Sequence, residues 1–162
     1  MKNKKIVIVS ALCVLTVLAM LLALRFSDKN GNDHKFMIPD FDKTAETGVP
    51  KVPENLGYSK IHQDGMNFTA YVCGNVMIKD HEGSIYFTND SENKVWLKLR
   101  ILDENNEILG ETGVIKPGEY VSLIKLKKTP QVGQKIKLKI MAYEPDTYYS
   151  AGAVSLYTTI GE

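Results

Sequence analysis

The chain has little with which to do chemistry. It holds only three histidines in 162 residues, His34, His62 and His81. No two have metal-ligand spacing and no cysteine–histidine cluster exists, so a structural zinc site is excluded and neither metal nor cofactor is expected. Asp80, Glu82, Asp90 and Glu92 are acidic neighbours without the spacing of a calcium loop. Of two cysteines, Cys13 lies inside an apolar run and Cys73 stands alone in the rest of the chain. A lone cysteine makes no intrachain disulfide, so the fold must rest on its apolar core. There is no G-x-S-x-G, phosphate-binding loop, H-E-x-x-H or glycine-rich dinucleotide turn. Cys73 with His62 or His81 is the one available nucleophile–base pairing, and strand cysteines of this kind are usually buried and inert. The chain reads as a non-enzyme. The net charge of +1 creates no global field that demands nucleic acid or anionic lipid, and nucleic acid is not an expected partner.

Against those absences stands one long apolar run, Ile6 to Leu24, preceded by Lys2, Lys4 and Lys5. As a helix it measures about 28 Å, close to the roughly 30 Å of a bilayer core. The lysines hold the N-terminus in the cytoplasm. The run is longer than an ordinary signal-peptide core, and its exit, Leu21 to Phe26, lacks an A-x-A cleavage pattern. The expectation is an uncleaved anchor over 1–25 with the remainder extracytoplasmic; secretion after cleavage is the alternative.

Residues 26–65 are rich in Asp, Asn, Lys, Gly and Pro, and Pro39, Pro50 and Pro53 interrupt any helix. Apolar residues such as Phe36, Phe41, Val49 and Val52 show no sustained period. This segment reads as an extended polar linker, with a short turn or helix in 51–63.

From Met66 to the end the texture becomes short β-type runs separated by turn signals. Seven strands are expected: 67–73, 83–89, 94–102, 107–112, 119–126, 134–143 and 151–160. Pro117-Gly118 suits the centre of a type II turn. The fold class is therefore all-β, an immunoglobulin-like or fibronectin-III-like sandwich of about seven strands over 66–162, preceded by a single N-terminal transmembrane helix. In that topology the third and sixth strands are neighbours. Val95, Leu97, Leu99 and Ile101 alternate with Trp96, Lys98, Arg100 and Leu102. Ile136, Leu138, Ile140 and Ala142 alternate with Lys135, Lys137, Lys139 and Met141. A period of two with one apolar face marks sheets packed on one side and wet on the other. Adjacent strands would gather Lys98, Arg100, Lys135, Lys137 and Lys139 on one outer surface, with Trp96 and Met141 at one end.

The run Gly83 to Asn89, then Leu97 to Ile101, Glu107 to Gly113, the Ile115-Lys116-Pro117-Gly118 turn and the later Ala142-Tyr143 resemble a group of small exported β-sandwich proteins of Gram-positive Firmicutes. The likeness covers roughly 64–160. It implies an N-terminal apolar segment, a polar linker and one sandwich, and no biochemical activity. Association of some members with mobile elements and surface structures implies a role in partner binding or assembly. Many relatives carry aliphatic or aromatic residues where this chain has Lys98 and Arg100.

The function expected is thus that of a membrane-anchored sandwich that binds a protein partner in a cell-envelope assembly. The alternative is a module binding wall polymer or another polyanion through the lysine face. Candidate contact residues are Trp96, Lys98, Arg100, Lys135, Lys137 and Lys139, with Tyr148 and Tyr149 in the loop 144–149, because loops at sandwich ends carry recognition. The same lysines on a solvated strand face also serve solubility and discourage edge pairing.

Overall fold

A computed structural model describes residues 38–61 and 65–161. The anchor expected over Ile6 to Leu24 lies outside the described residues, and among those described no helix is long and apolar enough to cross a membrane. All seven expected strands form, and three more join them. In chain order they are β1 (Glu46–Thr47), β2 (Tyr58–Ile61), β3 (Ala70–Cys73), β4 (Met77–Lys79), β5 (Glu82–Asn89), β6 (Trp96–Leu102), β7 (Ile108–Glu111), β8 (Glu119–Lys125), β9 (Lys135–Tyr143) and β10 (Ser150–Thr159). The first sheet runs β1-β8-β5-β3-β2, with β4 also on β5; the second runs β10-β9-β6-β7. Every strand ladder is antiparallel.

One apolar core lies between the sheets. Ile85 and Phe87 from β5, and Val121 and Ile124 from β8, meet Leu97, Leu99 and Ile101 from β6 and Ile136, Leu138 and Ile140 from β9. Each set sits on alternate residues of its strand, apart from a one-residue slip in β8. The opposite faces are mostly part-exposed, as a half-buried strand requires, with Thr88, Lys98 and Leu102 buried on them. At about 25 cal/mol per Å² of apolar area buried, this core carries the stability that no disulfide supplies.

The expected linker is corrected over its described part. Residues 38–61 belong to the sandwich: β1 pairs β8, β2 pairs β3, and Leu56 and Ile61 are buried. Val114 N–H donates to Asp40 O at 2.8 Å, and Asp42 N–H to Val114 O at 2.9 Å. The segment showed no periodicity because it touches each neighbouring strand for only a few residues. Pro53 opens a 3-10 turn over Glu54–Leu56, closed by Gly57 at φ 60°. The turn at Pro117-Gly118 forms as expected, with Gly118 at φ 79° and Glu119 N–H donating to Lys116 O at 3.1 Å.

Asn89, fully buried at the end of β5, locks the loop that leads into β6. Its amide donates to Val95 O at 3.0 Å and to Ile115 O at 3.1 Å, and its carbonyl accepts from Asn93 Nδ2 at 2.6 Å. Asn93 in turn bonds both backbone groups of Thr69. This polar knot fixes where Trp96 begins the strand that bears half of the candidate surface.

Candidate functional site

β6 and β9 lie side by side as expected, in the register Trp96↔Tyr143, Lys98↔Met141, Arg100↔Lys139 and Leu102↔Lys137. The five basic residues therefore do share the outer face of the second sheet. Along β9, Lys135, Lys137 and Lys139 form a row with Cα spacing of about 6.8 Å. β10 adds Ser155, Tyr157 and Thr159 beside them.

The five cations are not equivalent. Glu111, on β7, takes Arg100 Nε at 2.8 Å and Lys98 Nζ at 3.1 Å on the same oxygen. Lys98 is only 8% exposed, and its ammonium meets Glu111. Partial burial pulls the Glu111 pKa upward, but the hydrogen bonds and charges of Arg100 and Lys98 outweigh it and hold the carboxyl below its usual value. Lys98 and Arg100 are thus largely spent on the fold. Lys135, Lys137 and Lys139 have no carboxylate within 4 Å among the described residues; Lys137 donates to the Asn106 side chain. Lys135, Lys137 and Tyr157 border a cleft of about 360 Å³ that Asp103 and Glu104 also line.

Trp96 is not an open platform. Phe41 meets it edge-on at 4.8 Å and Tyr148 at 5.2 Å, and Lys116 Nζ sits 4.7 Å from the Phe41 ring centre. Tyr148 reaches it because the loop 144–149 folds tightly. Tyr148 N–H donates to Glu144 O at 3.0 Å and Glu144 N–H to Tyr149 O at 2.8 Å, with Asp146 and Tyr148 at positive φ. Of the two tyrosines only Tyr149 stands out, at 75% exposed. Tyr148 packs; Tyr149 is available.

Other sequence candidates are not brought together. Cys73 is buried, and burial pushes its thiol up to about 11. His81 bonds Thr129 Oγ1 through Nδ1 at 2.6 Å; His34 and His62 lie outside the described residues. Among the described residues no three of His, Cys, Asp or Glu gather as metal ligands.

A second surface escaped the sequence reading. On the outer face of the first sheet, Tyr58 and Tyr71 stack at 5.8 Å and 22°. Tyr58 donates to Thr88 Oγ1 at 2.7 Å and Tyr71 to Asp90 Oδ2 at 3.3 Å. With Val49, Pro50 and Gly118 they line a mainly apolar groove of about 480 Å³. Tyr58 belongs to the segment read as linker, so nothing in its pattern paired it with Tyr71. No protein-family model matches the chain, and no curated protein matches its sequence.

Proposed function

We propose that this chain is a non-catalytic binding module of a cell envelope, contacting a protein partner through the exposed face of its second sheet. The observation that carries the reading is the row Lys135, Lys137 and Lys139. The fold neutralises the neighbouring cations with Glu111 and leaves these three aligned and, among the described residues, without a carboxylate partner. A surface kept charged at the cost of like-charge crowding favours an acidic partner by steering and register. The anchor reading of Ile6 to Leu24 puts the N-terminus in the cytoplasm and the sandwich outside a single-pass membrane, as in the Gram-positive group that the sequence resembles. Numbering the seven expected strands one to seven, the first, second and fifth share a sheet, and the third, fourth, sixth and seventh share the other. That order supports the fibronectin-III-like form of the immunoglobulin-like sandwich, because the constant-type immunoglobulin arrangement places its fourth strand in the opposite sheet.

The test is crosslinking of the tagged full-length protein in native membranes, followed by mass-spectrometric identification of what copurifies. The comparison is with the triple variant Lys135→Glu, Lys137→Glu, Lys139→Glu. A stoichiometric envelope protein captured by the wild type and lost from the triple variant supports the reading; capture indifferent to the triple change removes the lysine face from it. The regular spacing of the three cations favours one second reading, a wall polymer with repeating anions. Binding to purified wall material that falls steeply with added salt would put that reading first, since a packed protein contact is screened less.

A further inference from the structure

The first sheet ends on β1, β2 and β4, with β8 unpaired on its outer side beyond β1 among the described residues, and the second ends on β7 and β10. In the first sheet these edges are short: β1 has two residues, β2 four, one of them Lys60, β4 three, and the part of β8 beyond β1 five, ending in Lys125. In the second, the outer edge of β7 is taken up by the end of β8: Gly110 bridges Leu126, and Lys127 N–H donates to Leu109 O at 2.7 Å. The longest edge is β10. It has ten residues, Ser150-Ala-Gly-Ala-Val-Ser-Leu-Tyr-Thr-Thr159, with no charge and no proline. Long edges are ordinarily guarded by lysine, proline, bulges or shortness, since unpaired N–H and C=O groups recruit other strands. Here a bulge at Ser150–Gly152 guards one end. At the other, Ile160 bridges Val76 and Thr158 Oγ1 donates to Gly74 O. Between them, Ala153 to Tyr157 pair only with β9 among the described residues.

The space beside this edge is shaped as well as open. A cleft of about 310 Å³ separates β10 from β2. Its lining is mainly apolar, with Ile61, Val72, Leu138 and Leu156, and Ser59 and Lys60 join it from β2. On the other side of the same edge, Tyr157 and Ser155 lie directly against Lys137 and Lys139. A strand laid along β10 would therefore present alternate residues to two unlike surroundings, an apolar cleft inward and a row of lysines outward.

We infer that β10 is a strand-addition site, and that its occupant is an extended segment of the partner in which apolar and acidic residues alternate. The inference rests on the reading that the partner is a protein engaging the second sheet. Backbone hydrogen bonds to β10 supply affinity, and the alternate side chains supply selectivity. A second copy of this chain fits less well. Pairing β10 with itself would place two lysine rows in one continuous sheet, with no acid on the two β10 strands between them.

The probe is a capped ten-residue peptide alternating valine and glutamate, titrated into the full-length chain in mild detergent. Binding is read by calorimetry and by hydrogen exchange. The expected result is saturable binding with slowed exchange confined to Ala153–Tyr157. N-methylation of one alternate set of peptide amides weakens binding about tenfold or more, while methylation of the other set leaves it unchanged. Equal effects of both methylated sets, or protection at the Tyr58–Tyr71 groove instead of β10, would overturn strand addition. Protection of β10 that rises with protein concentration without peptide would assign the edge to a second copy and also overturn it. The envelope reading fails separately. If capture from membranes stays lysine-dependent while the peptide leaves β10 exchange unchanged, the edge proposal falls and the lysine face stands. If capture ignores the lysines while the peptide still protects β10, the face falls.

Discussion

Arg100 and Lys139 face each other as Cα partners across β6 and β9, two cations in directly opposed positions, and among the described residues only Arg100 has a carboxylate. Glu111, on the far side of β6, holds it at 2.8 Å. Like charges in opposed sheet positions cost stability. The second sheet therefore carries a local like-charge contact that Glu111 offsets only on the Arg100 side. Lys139→Glu should raise stability by about 0.5 kcal/mol in urea unfolding at low salt, with the gain shrinking as salt rises. The same substitution should weaken capture of an acidic partner. A variant less stable than wild type would show that Lys139 and Arg100 do not repel.

The Glu111 triad sets the next expectation. Glu111→Gln keeps the shape but leaves Lys98, 8% exposed, without its counter-ion. The cost should be about 1–2 kcal/mol, discounted because Glu111 and Arg100 are each about a third exposed, with the urea midpoint falling by ~1 M and the slope unchanged. The pH dependence follows from direction. The folded-state pKa of Glu111 is lowered, so its contribution is full above the unfolded value of about 4.3 and is lost as pH falls through the folded value. The gap between wild type and Glu111→Gln should persist at pH 6–8 and close below about pH 4.

Much of this was legible in the sequence. The alternation in Val95 to Leu102 and in Lys135 to Met141 marked both strands, their faces and, through the sandwich topology, their adjacency. Alternation says which face a side chain takes but not what its neighbour across the strand is. For that reason Glu111, the residue that neutralises Lys98 and Arg100, could not be placed; its own strand has four residues and a register shift at Ile101/Leu102. The segment 38–61 failed for a related reason. Phe41, Glu46 and Tyr58 each meet a partner more than ten residues away through one- to four-residue pairings, too short for a period to show.

The chain has one tryptophan, so its fluorescence reports directly on the Phe41–Trp96–Tyr148 cluster. Phe41→Ala should shift Trp96 emission to longer wavelength and cost about 1 kcal/mol. Tyr149→Ala, at an exposed position outside the cluster, should leave both unchanged. A red shift from Tyr149→Ala as large as that from Phe41→Ala would mean that the loop 144–149 is held differently.

Cys73 should resist alkylation. With its thiol pushed up to about 11, the thiolate share at pH 8 is about 0.1%, against roughly a quarter for an unperturbed cysteine. Iodoacetamide should label its peptide at least about 100-fold more slowly in buffer than in urea, and the native rate should climb as pH rises from 8 toward 10. Rapid native labelling would show an accessible, reactive thiol and reopen a catalytic role for it.

Gly113 lets the segment around Asp42 lie against the connection that follows β7. A Cβ at this position would fall 2.7 Å from the Phe41 carbonyl carbon, so any side chain pushes backbone against backbone. Gly113 N–H also donates to Asp42 Oδ2 at 2.6 Å, beside the two backbone bonds that join Val114 to Asp40 and Asp42. Gly113→Ala should therefore lift the segment as a unit, at a cost of about 2–3 kcal/mol. Because Phe41 leaves with it, Trp96 emission should move to longer wavelength as in Phe41→Ala. Hydrogen exchange separates the two variants. Gly113→Ala should also accelerate exchange at Asp42 and Val114, whereas Phe41→Ala should leave those amides protected. Slow exchange at both amides in Gly113→Ala would mean that the backbone shifts to accept the methyl group and that the close approach is not what requires glycine.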